Sequence, residues 1–112
     1  MNYEMTCTDH DLPLLMELDP TTVDATARLF SALGDPGRLS LLVLLAEREA
    51  CVSELVEALD VGMSTISQRL KLLHREGLVS RRRDGRHIYY GLADAHVAEL
   101  VSNGLEHAME AR

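Results

Sequence analysis

The sequence predicts a mainly α-helical fold with a β-hairpin wing, that is, a winged helix-turn-helix. Three observations support this fold class. Apolar residues recur every three or four positions from Thr21 to Arg75, as they do in amphipathic helices. After Gly77 the period changes to two on both sides of the Asp84-Gly85 pair, which is a strong local signal for a hairpin. The helical period then returns near the end of the chain, so the hairpin lies between helices.

Length and composition indicate one globular domain. The chain has 112 residues, of which 46% are hydrophobic and 26% are charged. No apolar run reaches the length of a membrane span, and the first residues lack the basic and then apolar pattern of a signal peptide. We therefore expect a cytoplasmic protein with no membrane partner. Residues 1–19 are predicted to form an N-terminal arm, and residues 20–112 the winged helix-turn-helix domain.

Two helices are predicted before the helix-turn-helix. The first begins at Thr21 or Thr22 and ends at Gly34. Asp35 is suited to capping the second, with Pro36 at its first position, where the missing N–H costs nothing. A buried stripe is expected along this second helix at Leu39, Leu42, Val43 and Ala46.

Residues 51–79 have the pattern of a helix, a turn and a second helix. Ser53 and Ser64 are suited to capping these two helices, with the turn between them at residues 60–62. Gly77 is suited to the left-handed conformation that ends the second helix. The inward stripe of the second helix is predicted at Ile66, Leu70 and Leu73.

The outward face of that second helix is suited to reading DNA. Hydroxyl and amide side chains near its N-terminus are followed by cations, which together fit the base edges and flanking phosphates of a major groove. The alternative for each residue taken alone is a solvated surface side chain. The DNA contacts predicted from this helix are Ser64, Thr65, Ser67, Gln68, Arg69 and Lys71.

The distribution of charge supports a DNA-binding face in a chain whose net charge is −7. Between Val61 and Ala93 there are seven basic and two acidic residues, whereas the other segments carry four basic and sixteen acidic residues. A basic block in an acidic chain is typical of a phosphate-binding surface, and the alternative is a solvated charged surface. The hairpin in this block is expected to reach the phosphate backbone or the minor groove through Arg81, Arg83 and Arg86.

The last helix, predicted over about residues 94–110, carries four side chains that commonly bind metals: Asp94, His96, His107 and Glu110. The step from His96 to His107 makes almost three turns, so both imidazoles lie on one face but stand about 16 Å apart. One chain therefore cannot bring all four to one ion. A second copy running antiparallel would place Asp94 and His96 opposite His107 and Glu110, which predicts a homodimer with two equivalent sites.

Each of these four residues also has a structural alternative. Asp94 is suited to capping the helix, the histidines to an interface and Glu110 to a solvated terminus. As a set, two imidazoles and two carboxylates suit four-coordinate Zn(II), with Co(II) as a close mimic. Four protein ligands leave no open position for an activated water, and the sequence has no phosphate loop or nucleophile–base pattern. We therefore expect that the protein is not an enzyme.

Four segments together resemble the ArsR/SmtB family of bacterial metal-sensing repressors. They are ALGDPGRLSLL, ELVEALDVGMSTISQRLKLLHREGLV, RRRDGRHIYYGLAD and the terminal D-x-H-(x)10-H-x-x-E pattern, which is similar to the zinc-sensing branch. The resemblance covers roughly residues 20–110. It implies a homodimeric transcriptional repressor whose apo form binds operator DNA and whose metal-bound form releases it. In that interpretation Asp94, His96, His107 and Glu110 are the regulatory ligands.

The same resemblance implies a second metal site. It combines Cys51 and Glu54, at the start of the helix before the DNA-reading helix, with Cys7 and His10 in the arm of the other subunit. The match is partial, because Ser53 stands where cadmium- and lead-sensing relatives often have a second cysteine. Such a site favours Cd(II) or Pb(II). The alternatives are a buried Cys51 with a free Cys7 thiol, or a redox trigger in which these cysteines form a disulfide.

Overall fold

The computed structural model describes residues 18–111, and within this range the chain forms five helices and one antiparallel hairpin. The predicted fold class, mainly α with a β-hairpin wing, is confirmed. In chain order the elements are α1 (Pro20–Leu33), α2 (Pro36–Glu47), α3 (Val52–Leu59), α4 (Met63–Arg75), β1 (Val79–Asp84), β2 (His87–Leu92) and α5 (Ala95–Glu110).

Aspartate caps begin the first two helices. Asp19 accepts the Thr21 backbone N–H at 3.3 Å and the Thr21 hydroxyl at 2.6 Å, so α1 starts at Pro20, slightly earlier than predicted. Asp35 accepts the Arg38 backbone N–H at 3.0 Å, which confirms the predicted cap of α2. The predicted stripe of α2 is partly wrong, because α2 contacts α1, α4, α5 and β2 and is covered on more than one side. Its buried residues are Leu41, Leu42 and Leu45, whereas Ala46 is exposed.

The caps predicted for the helix-turn-helix are wrong, although its helices and turn are confirmed. The N-cap of α3 is Cys51, whose backbone N–H donates to the Glu54 carboxylate at 3.0 Å, so Ser53 already lies inside the helix. Asp60 takes a left-handed conformation with φ 55° and ends α3. The chain therefore re-enters helical geometry at Met63, and Ser64 lies within the first turn of α4.

The hairpin turn lies one residue further along the chain than its turn signal indicates. Its strands pair from Val79 with Leu92 to Asp84 with His87, so the loop consists of Gly85 and Arg86 rather than Asp84 and Gly85. Gly85 has φ 64°, a conformation that favours glycine and that tight hairpin loops require. The Asp84-Gly85 signal therefore located the hairpin correctly but placed its turn one residue early.

The core is formed mainly by helices α2, α3 and α4, and Ala32 of α1, Val79 of β1 and two valines of α5 complete it. Burying a leucine or isoleucine side chain stabilises a fold by roughly 1.5–3 kcal/mol, so this cluster holds α4 firmly by its inner face. The predicted inward stripe of α4 is confirmed, and the opposite face is left for solvent or a ligand. The largest fully buried side chains are Leu41, Leu42, Leu55, Ile66, Leu70, Leu73 and Leu78.

Helices α1 and α5 leave large apolar side chains uncovered. Phe30 of α1 is 54% exposed, and Met109 of α5 is 63% exposed. Between the two helices runs an apolar groove of about 280 Å³, lined in part by Phe30, Leu100 and Leu105. Within residues 18–111, a methyl group added at Gly104, in the same groove, would meet no atom beyond its own stretch of helix within 4 Å. This face therefore has room for a closely packed partner.

No single helix in residues 18–111 is long and apolar enough to cross a membrane. Helices α1 and α2 taken together satisfy the length and composition requirements, but they are bent by 88° relative to each other. The leucines of α2 pack into the protein core, which accounts for their apolar character.

Candidate nucleic-acid interface and metal centre

Helix α4 presents most of its predicted DNA contacts to solvent. Ser64, Ser67, Gln68 and Lys71 are exposed, and Thr65 is half-buried. These side chains stand on the face opposite the buried stripe, on a helix whose position is fixed by the core. Such an arrangement suits a helix that enters a major groove with its polar side chains toward the base edges.

Arg69 differs from the other predicted contacts because it folds back on α2. It is half-buried, and a methyl group added at Gly37 would lie 2.6 Å from its Nη2 and 2.8 Å from its Nε. Gly37 therefore provides the space in which the Arg69 guanidinium lies. Sequence reasoning missed this role of Gly37, since the two residues are far apart in the chain and no local pattern connects them.

The wing divides its arginines between two faces. Side chains alternate along a strand, so Arg81 and Arg83 share one face of β1, and Arg82 lies on the other. Arg81 and Arg83 line a cleft of about 260 Å³ together with His74, at the end of α4, and Ile88. Within residues 18–111, neither Arg81 nor Arg83 has a carboxylate within 4.0 Å. This face is therefore available for an anion such as a backbone phosphate.

Arg86 occupies the tip of the wing. It is the second residue of the hairpin loop and is exposed. Its neighbour Arg83 donates from Nε to the Gly85 carbonyl oxygen at 3.3 Å, which orders the side chain beside the loop. The tip thus combines an exposed cation with a tight loop, as expected for an element that reaches a groove or the phosphate backbone.

Arg82, in contrast, has a carboxylate partner within the chain. Its Nη2 lies 2.8 Å from Glu49 Oε1, and its guanidinium carbon lies 5.1 Å from the centre of the Tyr89 ring. The hydrogen bond from Arg82 lowers the pKa of Glu49 below its usual value and raises the pKa of Arg82 in return. Sequence reasoning missed Glu49, which lies in the loop between α2 and α3.

The metal donors of α5 stand in two pairs at opposite ends of the helix. His96 Nδ1 lies 3.7 Å from Asp94 Oδ1, and the His96 side chain is 89% exposed. His107 and Glu110 lie three positions apart at the other end, and both are exposed. Within residues 18–111, no three His, Cys, Asp or Glu side chains of one chain are grouped as a metal site. Each pair offers one imidazole and one carboxylate, so the donor set fits Zn(II) when two pairs from different chains meet.

Asp94 has the structural role that was expected as an alternative. Its Oδ1 accepts the Val97 backbone N–H at 3.1 Å, which makes Asp94 the N-cap of α5. The cap uses one of the two carboxylate oxygens. A carboxylate that caps through one oxygen still has a second oxygen with which to coordinate a metal, so capping and coordination are compatible in geometry.

Of the predicted second metal site, the structure describes only the residues at the start of α3. Glu54 accepts the Cys51 backbone N–H through Oε1 and contacts Arg48 Nη1 at 3.4 Å through Oε2. The hydrogen bond from Cys51 lowers the pKa of Glu54 below its usual value. Cys51 is half-buried, and its Sγ lies 3.3 Å from Ser53 Oγ. Cys7 and His10, the predicted ligands from the arm, lie outside the described residues.

A rigid helix with an outward polar face, followed by a cationic hairpin, defines a DNA-binding regulator of the winged helix-turn-helix class. Residues 35–81 match the bacterial regulatory protein, arsR family. Together with the relatives described next, this match shows that the chain belongs to the ArsR family.

Two relatives and one solved structure illustrate the similarity. The chain is 43% identical over 98 residues to a transcriptional repressor SmtB homolog of Synechocystis, covering 88% of this chain and 73% of that protein. It is 42% identical over 88 residues to the HTH-type transcriptional repressor SmtB of Mycobacterium tuberculosis, covering 79% of this chain and 65% of that protein.

The solved structure is the homodimeric winged helix-turn-helix DNA-binding domain of a possible ArsR-family transcriptional regulator from Mycobacterium bovis. It matches with a TM-score of 0.80 and 32% identity, covering 88% of this chain and 92% of that chain. Both of these relatives are named as transcriptional repressors, which agrees with the expectation that this protein is not an enzyme.

Proposed function

We propose that the protein is a metal-responsive transcriptional repressor that acts in the cytoplasm. In this proposal the apo homodimer binds operator DNA, and Zn(II) held between the two α5 helices promotes release. One observation carries the proposal: α5 bears an exposed imidazole and carboxylate at each end, and an apolar groove lies between these ends. A helix of this design suits a partner helix that covers the groove and completes both donor sets.

A second copy of the chain is the partner that best fits the α1/α5 face. The groove and the exposed Phe30 and Met109 form an apolar surface that the rest of residues 18–111 leaves uncovered. The homodimeric state of the related M. bovis domain supports this assembly. In an antiparallel pair of α5 helices, Asp94 and His96 of one subunit lie beside His107 and Glu110 of the other.

The donor set determines which ions we expect. Imidazole nitrogens and carboxylate oxygens in four-coordinate geometry suit Zn(II), and Co(II) accepts the same geometry. Histidine must be neutral to bind a metal, so protons compete with the ion for the imidazole nitrogens. We therefore expect that the zinc concentration needed for half-release of the DNA rises as the pH falls.

The proposed release is a shift between two arrangements of the dimer. His96 of one subunit and His107 of the other, when they share an ion, fix the angle between the α5 helices. That angle sets the separation of the two α4 helices, which must match half-sites about one DNA turn apart. The coupling free energy in such systems is commonly about 1–3 kcal/mol, which corresponds to roughly 5- to 150-fold in DNA affinity.

A second function remains a candidate because Cys51 and Glu54 lie together at the start of α3. With Cys7 and His10 of the arm they would form a site for Cd(II) or Pb(II), or the two cysteines would act as a thiol redox trigger. Glu54 would have to release the Cys51 N–H and Arg48 before it could coordinate a metal. Alkylation of both cysteines distinguishes a sensor in α5 from a sensor that uses the cysteines. If α5 is the sensor, Zn(II) still releases the DNA after alkylation.

The test of the main proposal is a DNA-binding titration at fixed salt, with and without Zn(II), on the wild type and His107→Ala. The duplex is one that the wild-type protein selects from a random pool. We expect zinc to weaken DNA binding by the wild type and to leave His107→Ala unchanged. The matched control is Asn103→Ala, which alters an exposed α5 residue without a donor and should respond like the wild type.

Two results contradict the proposal. If Zn(II) leaves the DNA affinity of the wild type unchanged, the protein is not a zinc-responsive repressor. If His107→Ala responds as strongly as Asn103→Ala, the sensor does not lie in α5, and the site that includes Cys51 becomes the preferred interpretation.

A further inference from the structure

The loop between α2 and α3 contacts the wing through the side chain of Glu49. Glu49 in this loop binds Arg82 in the middle of β1: Nη2 of the arginine lies 2.8 Å from Oε1, and Nε lies 3.3 Å from Oε1 and 3.4 Å from Oε2. Two guanidinium nitrogens thus meet one carboxylate, which is the fork geometry that makes arginine pairs directional. The pair joins residues that are 33 positions apart in the chain.

Backbone contacts reinforce the same junction. Ala50, the next residue, exchanges two hydrogen bonds with Tyr90 of β2, at 3.0 Å and 2.8 Å. A methyl group added at Gly91 would lie 3.2 Å from Glu49 Cγ, so the glycine lets the loop approach β2 closely. A two-stranded hairpin is marginally stable by itself. Here the loop supplies a single-residue β-bridge and an ion pair that hold the hairpin against the body of the protein.

The junction also separates the wing arginines by role. Arg82 points toward the loop and is paired with Glu49, whereas Arg81 and Arg83 lie on the other face beside His74. An arginine that a carboxylate already binds has less charge to offer a phosphate. The Glu49 contact therefore fixes the direction of the face that carries Arg81 and Arg83.

We propose that Glu49 is a positioning residue for DNA binding. It holds the wing in place through Arg82, and Arg82 serves as the anchor of the wing rather than as a phosphate contact. The inference rests on the proposed DNA-binding function and adds two residues to it. It applies to the wing alone and requires no metal.

Substitutions by neutral residues distinguish anchoring of the wing from a general effect of charge on DNA binding. Glu49→Gln removes a negative charge from the DNA-binding half of the molecule, so electrostatics alone would strengthen binding. We expect instead that Glu49→Gln weakens binding about 3- to 10-fold, since the wing loses a charged hydrogen bond. Arg82→Gln should weaken binding by a similar factor and leave the salt dependence unchanged, because no phosphate contact is lost. The double variant should be no weaker than Arg82→Gln alone.

The charge-swapped variant Glu49→Arg/Arg82→Glu is the rescue control. It has the same net charge as the wild type, so its affinity reports the pair rather than the total charge. We expect it to bind DNA within about 3-fold of the wild type, given the imperfect geometry of a reversed pair. Amide hydrogen exchange at Tyr90 should be faster in Glu49→Gln than in the wild type, while exchange in α4 is unchanged.

Several outcomes overturn the inference while the proposed function survives. One is a Glu49→Gln variant that binds DNA as well as the wild type or better. Another is an Arg82→Gln variant whose salt slope falls by about 1, as it would for a lost phosphate contact. The third is a charge-swapped variant that binds DNA as weakly as the single variants. If the wild type selects no duplex at all, the proposed function itself fails.

Discussion

The DNA-facing half of the molecule and its α1/α5 face are built in opposite ways. In the DNA-facing half, α4 and the wing pack on a core formed within a single chain, and the polar side chains of α4 point away from that core. In the second, the rest of residues 18–111 leaves Phe30 and Met109 uncovered, and the candidate metal donors are split between the ends of α5. Residues 18–111 of one chain therefore carry the whole candidate DNA-binding surface but only half of each proposed sensor site.

This difference explains how a metal could control DNA binding without touching the DNA surface. A site that forms only between subunits reports the arrangement of the dimer. A two-fold operator responds to that same arrangement, because it requires two α4 helices at a fixed separation. Changes to the first region should alter DNA contacts directly, and changes to the second should act through assembly.

The largest effect should come from breaking the α1/α5 face. Phe30→Glu places a charge on an apolar surface, but Phe30 is 54% exposed, so the single chain should still fold. We expect a folded monomer whose DNA affinity falls by about 10²- to 10⁴-fold, because two half-sites are no longer bound together. Sedimentation measures the assembly, and a DNA titration measures the affinity.

Phe30→Leu is the matched control for that change. It keeps an apolar side chain at the same position and should remain dimeric. A Phe30→Glu variant that is still dimeric and binds DNA normally would show that the α1/α5 face is not the interface.

A smaller effect separates base reading from phosphate contact within the DNA-facing half. Replacing Gln68, on the exposed face of α4, should change which sequences are preferred by about 1–3 kcal/mol at the affected base pair. Arg83→Ala should weaken binding to every duplex and reduce the salt slope by about 1. Titrations of several duplexes over a range of salt concentrations measure both quantities. Equal effects of the two variants on every sequence would refute this division of roles.

Gly37→Ala tests the position of Arg69 with a still smaller change. The added methyl group would displace the Arg69 guanidinium, which is a flexible side-chain end, so the fold should be retained. We expect DNA binding to weaken up to about tenfold, the size of one charged hydrogen bond. Thermal unfolding should show equal or greater stability, since alanine favours a helix over glycine.

Arg69→Ala and the double variant complete that comparison. If Gly37 acts through Arg69, then Gly37→Ala has no further effect in the Arg69→Ala background. Additive losses would mean that Gly37 contributes to DNA binding in another way.

The smallest effect concerns the two roles of Asp94. Asp94→Ala removes the N-cap of α5 and should lower the free energy of unfolding by about 0.5–2 kcal/mol, whereas Asp94→Asn preserves the cap. Both should weaken zinc binding, because an amide is a poorer ligand than a carboxylate. Chemical denaturation and zinc titration measure the two effects separately. Normal zinc affinity in Asp94→Asn would leave Asp94 as a cap alone.

Local patterns in the sequence predicted most of the fold. The Asp35 cap is a signal contained in a few consecutive residues, and the structure confirms it. The Gly77 conformation, with φ 77°, was predicted in the same way. The caps predicted at Ser53 and Ser64 are wrong because several residues near each helix start are able to cap it. The left-handed conformation of Asp60 ends α3 and so sets where the turn begins.

Contacts between segments that are distant in the chain could not be predicted from the sequence. Gly37 beside Arg69, and Glu49 beside Arg82, are brought together only by packing of separate elements. The candidate donors of α5 differ, because their spacing along one helix is enough to exclude a metal site that uses all four within one chain. That exclusion depends on helix geometry alone, and the structure of α5 agrees with it.

The most direct test of a site shared between subunits is complementation between two defective chains. One chain carries Asp94→Ala and His96→Ala, and the other carries His107→Ala and Glu110→Ala. Neither homodimer has a complete donor set, but a mixed dimer retains one complete site made from the intact end of each chain. We predict that each variant alone fails to bind Zn(II) tightly and that mixing restores one tight site per mixed dimer, visible as a tetrahedral Co(II) spectrum. A mixture that binds no more metal than its separate components would contradict the account.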